Sequence, residues 1–296
     1  MRIFATAGAA LLLVVGAWAQ QTRTLKVDVE LVQVYATVMD SLGHYVVGLE
    51  PENFQISEDR VEQKIESFST EDVPLSVGII LDVSNSMKDV LSTAKDAAAT
   101  FLKMGSPEDE YFLVEFNDRA KVTQDFTTDI EKLKNHIVFL PAKGRTALFD
   151  GVYLGLSTVR EGTNPRKFLL AVTDGDENHS HYTYSQVRDF AREQDVQVYA
   201  IGGGGGFGGG SGGSLGDIVE MTGGRVFRFG SSNDLEDICA KIAIEVKNQY
   251  VIGYRSTNEK RDGKYRKIRV KITPPKGMTS PLVVRAKDGY TAPAGF

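Results

Sequence analysis

The chain has 296 residues, a formal net charge of −5 and 42% hydrophobic residues. That is a globular composition and excludes a disordered chain or a coiled coil. The mild acidity is the opposite of the basic surface of a nucleic-acid binder, so no nucleic-acid partner is expected.

The first residues read as a targeting segment. Met1-Arg2 is a positive start, Leu11 to Val15 an apolar run, and Ala17-Trp18-Ala19 a small-residue cleavage pattern before Gln20. A signal peptide over 1–19 is expected, and with it export to a periplasm or the extracellular space. The apolar run is shorter than the roughly 20 residues of a membrane span. No later segment is apolar enough to cross, so no stable span is expected after cleavage.

Residues 20–73 read as a β-region. Val27, Val29 and Leu31 alternate with Lys26, Asp28 and Glu30, the period of a half-buried strand. Val32, Val34, Ala36 and Val38 continue it with a phase shift. Asp40 to Gly43 is a turn, and Tyr45–Val47, Asn53–Ile56 and Lys64–Phe68 are further short strands. Strands this short and close predict a small antiparallel sandwich.

From 74 to 248 the pattern changes. Val77–Leu81, Tyr111–Phe116, Phe168–Val172 and Val196–Ile201 are apolar runs, as in parallel strands buried on both faces. Lys121–Phe126 reads as an edge strand. Helices are predicted near 87–102, 128–137, 148–160, 184–194, 214–222 and 233–247, with a further strand near 225–229. Such alternation predicts an α/β domain with a doubly wound, mostly parallel sheet. On the last helix Leu235, Ile238, Cys239, Ile242 and Val246 share one face, so the only cysteine should be buried.

Residues 249–296 return to β-structure. Lys267, Arg269 and Lys271 alternate strictly with Ile268, Val270 and Ile272. This tail is too short for its own core. It is expected to pair with the N-terminal strands, giving one sandwich into which the α/β domain is inserted.

The chemistry concentrates at strand ends. Val77–Leu81 runs into Asp82-Val83-Ser84-Asn85-Ser86. Thr146 follows in Gly144-Arg145-Thr146, and Asp174 in Val172-Thr173-Asp174-Gly175. In a doubly wound sheet, ligands bind outside the carboxyl ends of the strands. Three hydroxyls and two carboxylates are hard oxygen donors of the kind Mg²⁺ prefers. Read one at a time, Ser86 and Thr146 also make plausible helix caps.

Together these residues resemble the metal-ion-dependent adhesion site of the von Willebrand factor A family. The resemblance covers about 74–248. It implies Ser84, Ser86 and Thr146 as hydroxyl ligands and Asp82 and Asp174 as carboxylates of a Mg²⁺ site, with Mn²⁺ and Ca²⁺ as alternatives. It also implies a partner's Asp or Glu completing the shell. The flanks resemble a bacterial secreted family with β-regions at both ends, through Asn248 to Tyr254 and Asp288-Gly289-Tyr290.

Three other features read more plainly. Asp174 to His181 holds two histidines and several acids, and is expected as a solvated rim loop rather than a zinc site. The glycine tract over 202–216 lacks the lysine of a phosphate loop and reads as a flexible loop. The basic row at 267–271 reads as the solvated face of a strand. At Asp82-Val83-Ser84 the third position is Ser84, where the Asp-x-Asp of an aspartyl nucleophile would carry its second Asp, and the single cysteine is expected in a core helix, so no enzyme is expected. The expected function is a cation-dependent binding or adhesion module for a protein or cell-surface ligand. The alternatives are a metal-independent structural component of the cell envelope and, last, a metal-dependent hydrolase.

Overall fold

The computed structural model describes residues 31–70, 72–202, 214–228, 234–278 and 280–295. The cleavage segment, the strand expected over 25–30 and most of the glycine tract lie outside the described residues.

Four short strands come first: β1 (Val32–Met39), β2 (Phe54–Glu58), β3 (Val61–Gln63) and β4 (Ile65–Ser69). Tyr45 makes only an isolated bridge to Met39, so the strand expected at Tyr45–Val47 does not form. Its tyrosine is drawn away to Glu245 and the Lys241 carbonyl instead.

The α/β region then runs β5 (Leu75–Asp82), α1 (Leu91–Lys103), β6 (Glu110–Phe116), β7 (Ala120–Thr127), α2 (Ile130–Val138), α3 (Leu148–Val159), β8 (Arg166–Val172), α4 (Tyr184–Arg192), β9 (Val196–Gly202), α5 (Leu215–Met221), β10 (Val226–Arg228) and α6 (Asp234–Lys247). Its sheet has the order β10-β9-β8-β5-β6-β7. All neighbours are parallel except the edge strand β7, which is antiparallel to β6. Every residue of β5 is buried. One face of the sheet packs on α1, α2 and α6 and the other on α3, α4 and α5, which is why the central strands contain no polar alternation. This is the doubly wound fold class read from the sequence.

The tail supplies β11 (Tyr250–Tyr254), β12 (Tyr265–Ile272), β13 (Val283–Arg285) and β14 (Gly289–Thr291). They join the N-terminal strands in two four-stranded sheets, β13-β1-β11-β4 and β14-β12-β2-β3. Val34, Ala36, Phe54, Ile56, Tyr250 and Ile252 fill the space between them. The sandwich is therefore built from both chain segments around the inserted α/β domain. Lys267, Arg269 and Lys271 are exposed on β12, as their alternation requires.

Polar groups weld the two parts together. Arg166, at the start of β8 and 2% exposed, donates to the Val246 carbonyl at 2.9 Å and Gln197 Oε1 at 3.0 Å, and also bonds Gln249. Its guanidinium lies over the Tyr35 ring of β1 at 4.7 Å. Gln249 in turn donates to Thr37 Oγ1 of β1 at 3.1 Å. Glu245, fully buried on α6, accepts from Tyr199 of β9 and Tyr45 of the β1–β2 loop. Arg225 and Arg285 stand 3.8 and 3.9 Å from it. Cys239 is buried on the same helix, and burial pushes its thiol up to about 12.

Inside the sandwich, Glu58 of β2 and Arg266 of β12 form a buried ion pair at 3.3 Å. Tyr254 and Tyr290 donate to the same carboxylate. Removing one partner of a buried pair leaves an uncompensated charge and costs about 3–5 kcal/mol. Glu58→Ala is expected to destabilise by that amount in urea unfolding. A loss under about 1 kcal/mol would show that water or another group reaches Arg266.

Candidate functional site

β5 and β8 lie side by side at the centre of the sheet, in register with Leu81 beside Val172. From β5 the chain moves towards β6, and from β8 it moves towards β9. The connections diverge here, which makes the carboxyl ends of these two strands the topological switch point, the place where doubly wound sheets bind ligands. Asp82 ends β5, and Thr173 and Asp174 follow β8.

Asp82 is completely buried. Its Oδ1 accepts the Ser84 N–H at 2.9 Å and its Oδ2 the Thr173 hydroxyl at 2.7 Å. Burial pushes its carboxyl up to about 6, against those hydrogen bonds, and the Asp174 charge adds to the rise. Asp174 is half-buried, and its Oδ1 accepts the Asp176 N–H at 3.1 Å.

The three hydroxyls converge in front of Asp82. Ser84 Oγ lies 2.9 Å from Ser86 Oγ, and Ser86 Oγ 3.4 Å from Thr146 Oγ1. Ser84 and Thr146 are buried, while Ser86 opens to solvent. Neither Ser86 nor Thr146 caps a helix. Asn85–Met87 is a 3-10 turn and α1 begins only at Leu91, behind Val90. α3 is preceded by Ala147, and neither Val90 nor Ala147 makes a side-chain cap. The hydroxyls face one another instead.

Loops of other origin fix this cluster. Asn85 N–H donates to the Gly144 carbonyl at 3.0 Å, and Lys143 N–H to the Val83 carbonyl at 2.8 Å. Gly144 has φ +80°, and a Cβ there would lie 2.4 Å from Asp118 Oδ2, so only glycine fits this turn. Thr146 is clamped from the far side. Its N–H donates to Asn178 Oδ1 at 3.0 Å, and its carbonyl accepts from the Asn178 and His179 N–H groups at 3.1 Å each. Glu177 accepts the Phe149, His179 and Ser180 N–H groups, tying its loop to the start of α3.

Thr173, Glu177 and Asn178 are thus part of the construction and were not singled out in the sequence. Thr173 had one signal, its place between an apolar strand and Asp174; Glu177 and Asn178 lie in the rim loop read over Asp174 to His181, which gave no sign of their clamping roles. His181 pairs with Asp150 at 2.9 Å, away from the hydroxyls. Among the described residues no three His, Cys, Asp or Glu side chains are grouped so as to hold a metal. What the structure assembles is different, three neutral hydroxyls with the Asp82 carboxylate behind them and the Asp174 charge acting on Asp82, and such oxygens suit a hard divalent ion.

A sheet wound in both directions with its polar residues at the switch point defines a class of rim-binding α/β proteins. Within that class, residues 77–177 match the family model of the von Willebrand factor type A domain. Over 134 residues the chain is 28% identical to an uncharacterized protein of Borreliella burgdorferi, covering 42% of this chain and 39% of that one. The chain thus spans about two fifths of that relative's length. The fold is similar to a von Willebrand factor type A structure from Catenulispora acidiphila, with a TM-score of 0.52, 11% identity, and 90% of this chain and 75% of that one covered. BatB from Bacteroides thetaiotaomicron aligns with a TM-score of 0.48 and 20% identity, over 58% of this chain and 99% of that one.

The buried Asp82 charge has a measurable cost without a cation. Below about pH 3 the carboxyl is neutral in both folded and unfolded chains. As pH rises to about 6 only the unfolded chain has lost its proton, so stability falls across that window by about 3 kcal/mol. In chelator, Asp82→Asn is expected to match the native protein at about pH 3 and exceed its stability by about that amount at pH 7.5. Its amide would donate to Thr173 Oγ1. Equal unfolding curves at pH 7.5 would show that the carboxylate is not held in a costly site.

Proposed function

We propose that the chain is an exported binding module that uses a divalent cation, Mg²⁺ first, at the rim of the α/β domain to bind an acidic group of a protein or surface ligand. The single observation that supports this is the convergence of Ser84, Ser86 and Thr146 oxygens in front of the buried Asp82. Hydroxyls bring no charge. An ion held through them is under-neutralised and attracts one more acidic oxygen. Asp82 orients the first loop through the Ser84 N–H, and Thr173 links that carboxylate to the end of β8. Asn178 holds Thr146 in place. The bound ion would supply positive charge at the open, Ser86 side of the cluster.

The same arrangement favours a binding role over an enzymatic one. The Ser180 hydroxyl donates to Glu177 at 2.6 Å, His181 faces Asp150 rather than a hydroxyl, and the Cys239 thiol is buried. Ser180 Oγ also accepts the Phe149 and Asp150 N–H groups, so it is engaged in holding the start of α3, and among the described residues neither His181 nor Cys239 is part of a nucleophile–base pair. Export rests on the N-terminal pattern of the sequence. Among the described residues no helix is long and apolar enough to cross a membrane.

Calorimetric titration of Mg²⁺ tests the reading. Saturable binding is expected for the native chain, reduced at least about tenfold, about 1.4 kcal/mol, in Ser84→Ala/Ser86→Ala. The same titration in the presence of acetate, as a stand-in for a ligand carboxylate, should tighten Mg²⁺ binding. Absence of binding with and without acetate would favour a structural component of the envelope.

A further inference from the structure

The rim around the hydroxyl cluster is not evenly charged. The segments 83–88, 117–119 and 143–147 are tied together by backbone bonds from Asn85 to Gly144, Lys143 to Val83, and Ala147 to Asn117. Arg145 N–H also donates to Asp118 Oδ1 at 3.0 Å. This joined surface exposes Lys88, Arg119, Lys143 and Arg145. Arg145 is paired to Asp118 at 3.4 Å. Among the described residues Lys88, Arg119 and Lys143 have no ion-pair partner. Among the described residues of these segments and their immediate neighbours, the acids besides the buried Asp82 are Asp118 and Asp89, the latter next to Lys88. Across the cluster, the loop after β8 carries Asp174, Asp176 and Glu177 instead. The cluster sits on the boundary between the two.

An apolar feature adjoins the cationic side. Val138 is 58% and Phe139 83% exposed, at the end of α2 and on the loop that leads to Lys143. Their backbone is fixed. Ile137 and Leu140 pack into the core, and Lys95 Nζ donates to the Val138 carbonyl at 2.8 Å. An aromatic ring held out to solvent four residues before the exposed Lys143 has the composition of an interface anchor.

We propose that this side of the rim docks an acidic segment of a protein partner, in which the carboxylate at the cation is accompanied by further Asp or Glu side chains and an apolar one. The further acids lie over Arg119, Lys143 and Arg145, and the apolar side chain lies on Phe139. This rests on the proposed cation reading only for the place of the first carboxylate. Charge complementarity selects the partner: like charge on the loop after β8 turns an acidic segment away, and unpaired charge at 117–119 and 143–145 draws it in. The segment therefore runs towards the β6–β7 turn and not towards α4.

The experiment compares two fluorescent peptides in Mg²⁺, one with several glutamates and a leucine, the other with a single glutamate among glycine and serine. The native chain is expected to bind the first about tenfold more tightly. Arg119→Ser/Lys143→Ser/Arg145→Ser should lose that preference, with Mg²⁺ affinity and thermal unfolding unchanged, since all three side chains are exposed. Lys143→Ser alone should lose part of it. Phe139→Ser should weaken only the leucine-containing peptide. The proposal is overturned if the native chain binds both peptides equally or neither, if the triple variant keeps the preference, or if polyphosphate competes as well as the acidic peptide. The two readings separate cleanly. A preference that persists in chelator and in Ser84→Ala/Ser86→Ala supports this surface and overturns the cation reading. Saturable Mg²⁺ binding without the preference does the reverse.

Discussion

The burial of β5 on both faces is the constraint on which the molecule depends. All its residues are inaccessible, with β6 and β8 on its edges and helical layers above and below. A strand so enclosed has only one place to present polar chemistry, its carboxyl end. Asp82 stands there, still buried, and it is tolerated because Ser84 and Thr173 donate to it. Those two bonds define the start of the first rim loop and its distance from the end of β8.

The rest of the site follows as a set of clamps. Gly144 lets its turn approach Asp118 and Asn85. Asn178 holds Thr146 from the opposite side. The hydroxyls are thereby brought within hydrogen-bonding reach of one another by loops that are far apart in the chain. Because they are preorganised by backbone bonds rather than by a charged ligand, a cation would find its oxygens in place and lose little in ordering them.

A second constraint joins the sandwich to the α/β domain. Arg166 and Glu245 are charged groups removed from water, which is costly unless each finds partners. Their partners come from β1, β9, α6 and the residues after α6. The two parts of the molecule thus share a polar core. α6 is fixed at its end by both, through Glu245 and the Val246 carbonyl.

The sequence by itself determined the elements whose environment is uniform. Continuous apolar runs such as Val77–Leu81 and Phe168–Val172 are legible because both faces of a central parallel strand meet the same kind of surroundings. The alternation at 267–272 is legible because the two faces of β12 do not. The pairing of the tail with the N-terminal strands was also legible, from the tail's inability to bury a core alone. The order of Asp82, Ser84, Ser86, Thr146 and Asp174 at strand ends could be read, and the family resemblance implied that they meet; the contacts that bring Ser84, Ser86 and Thr146 together, made through Gly144, Thr173 and Asn178, could not be read. The start of α1 at Leu91 rather than Met87, the missing strand at Tyr45–Val47 and the added β14 likewise escaped. Tertiary structure alone decided them, and it alone decided the buried Arg166, Glu245, Glu58 and Arg266. In each case a polar group is stable only through partners supplied by distant segments, and local sequence does not carry that information.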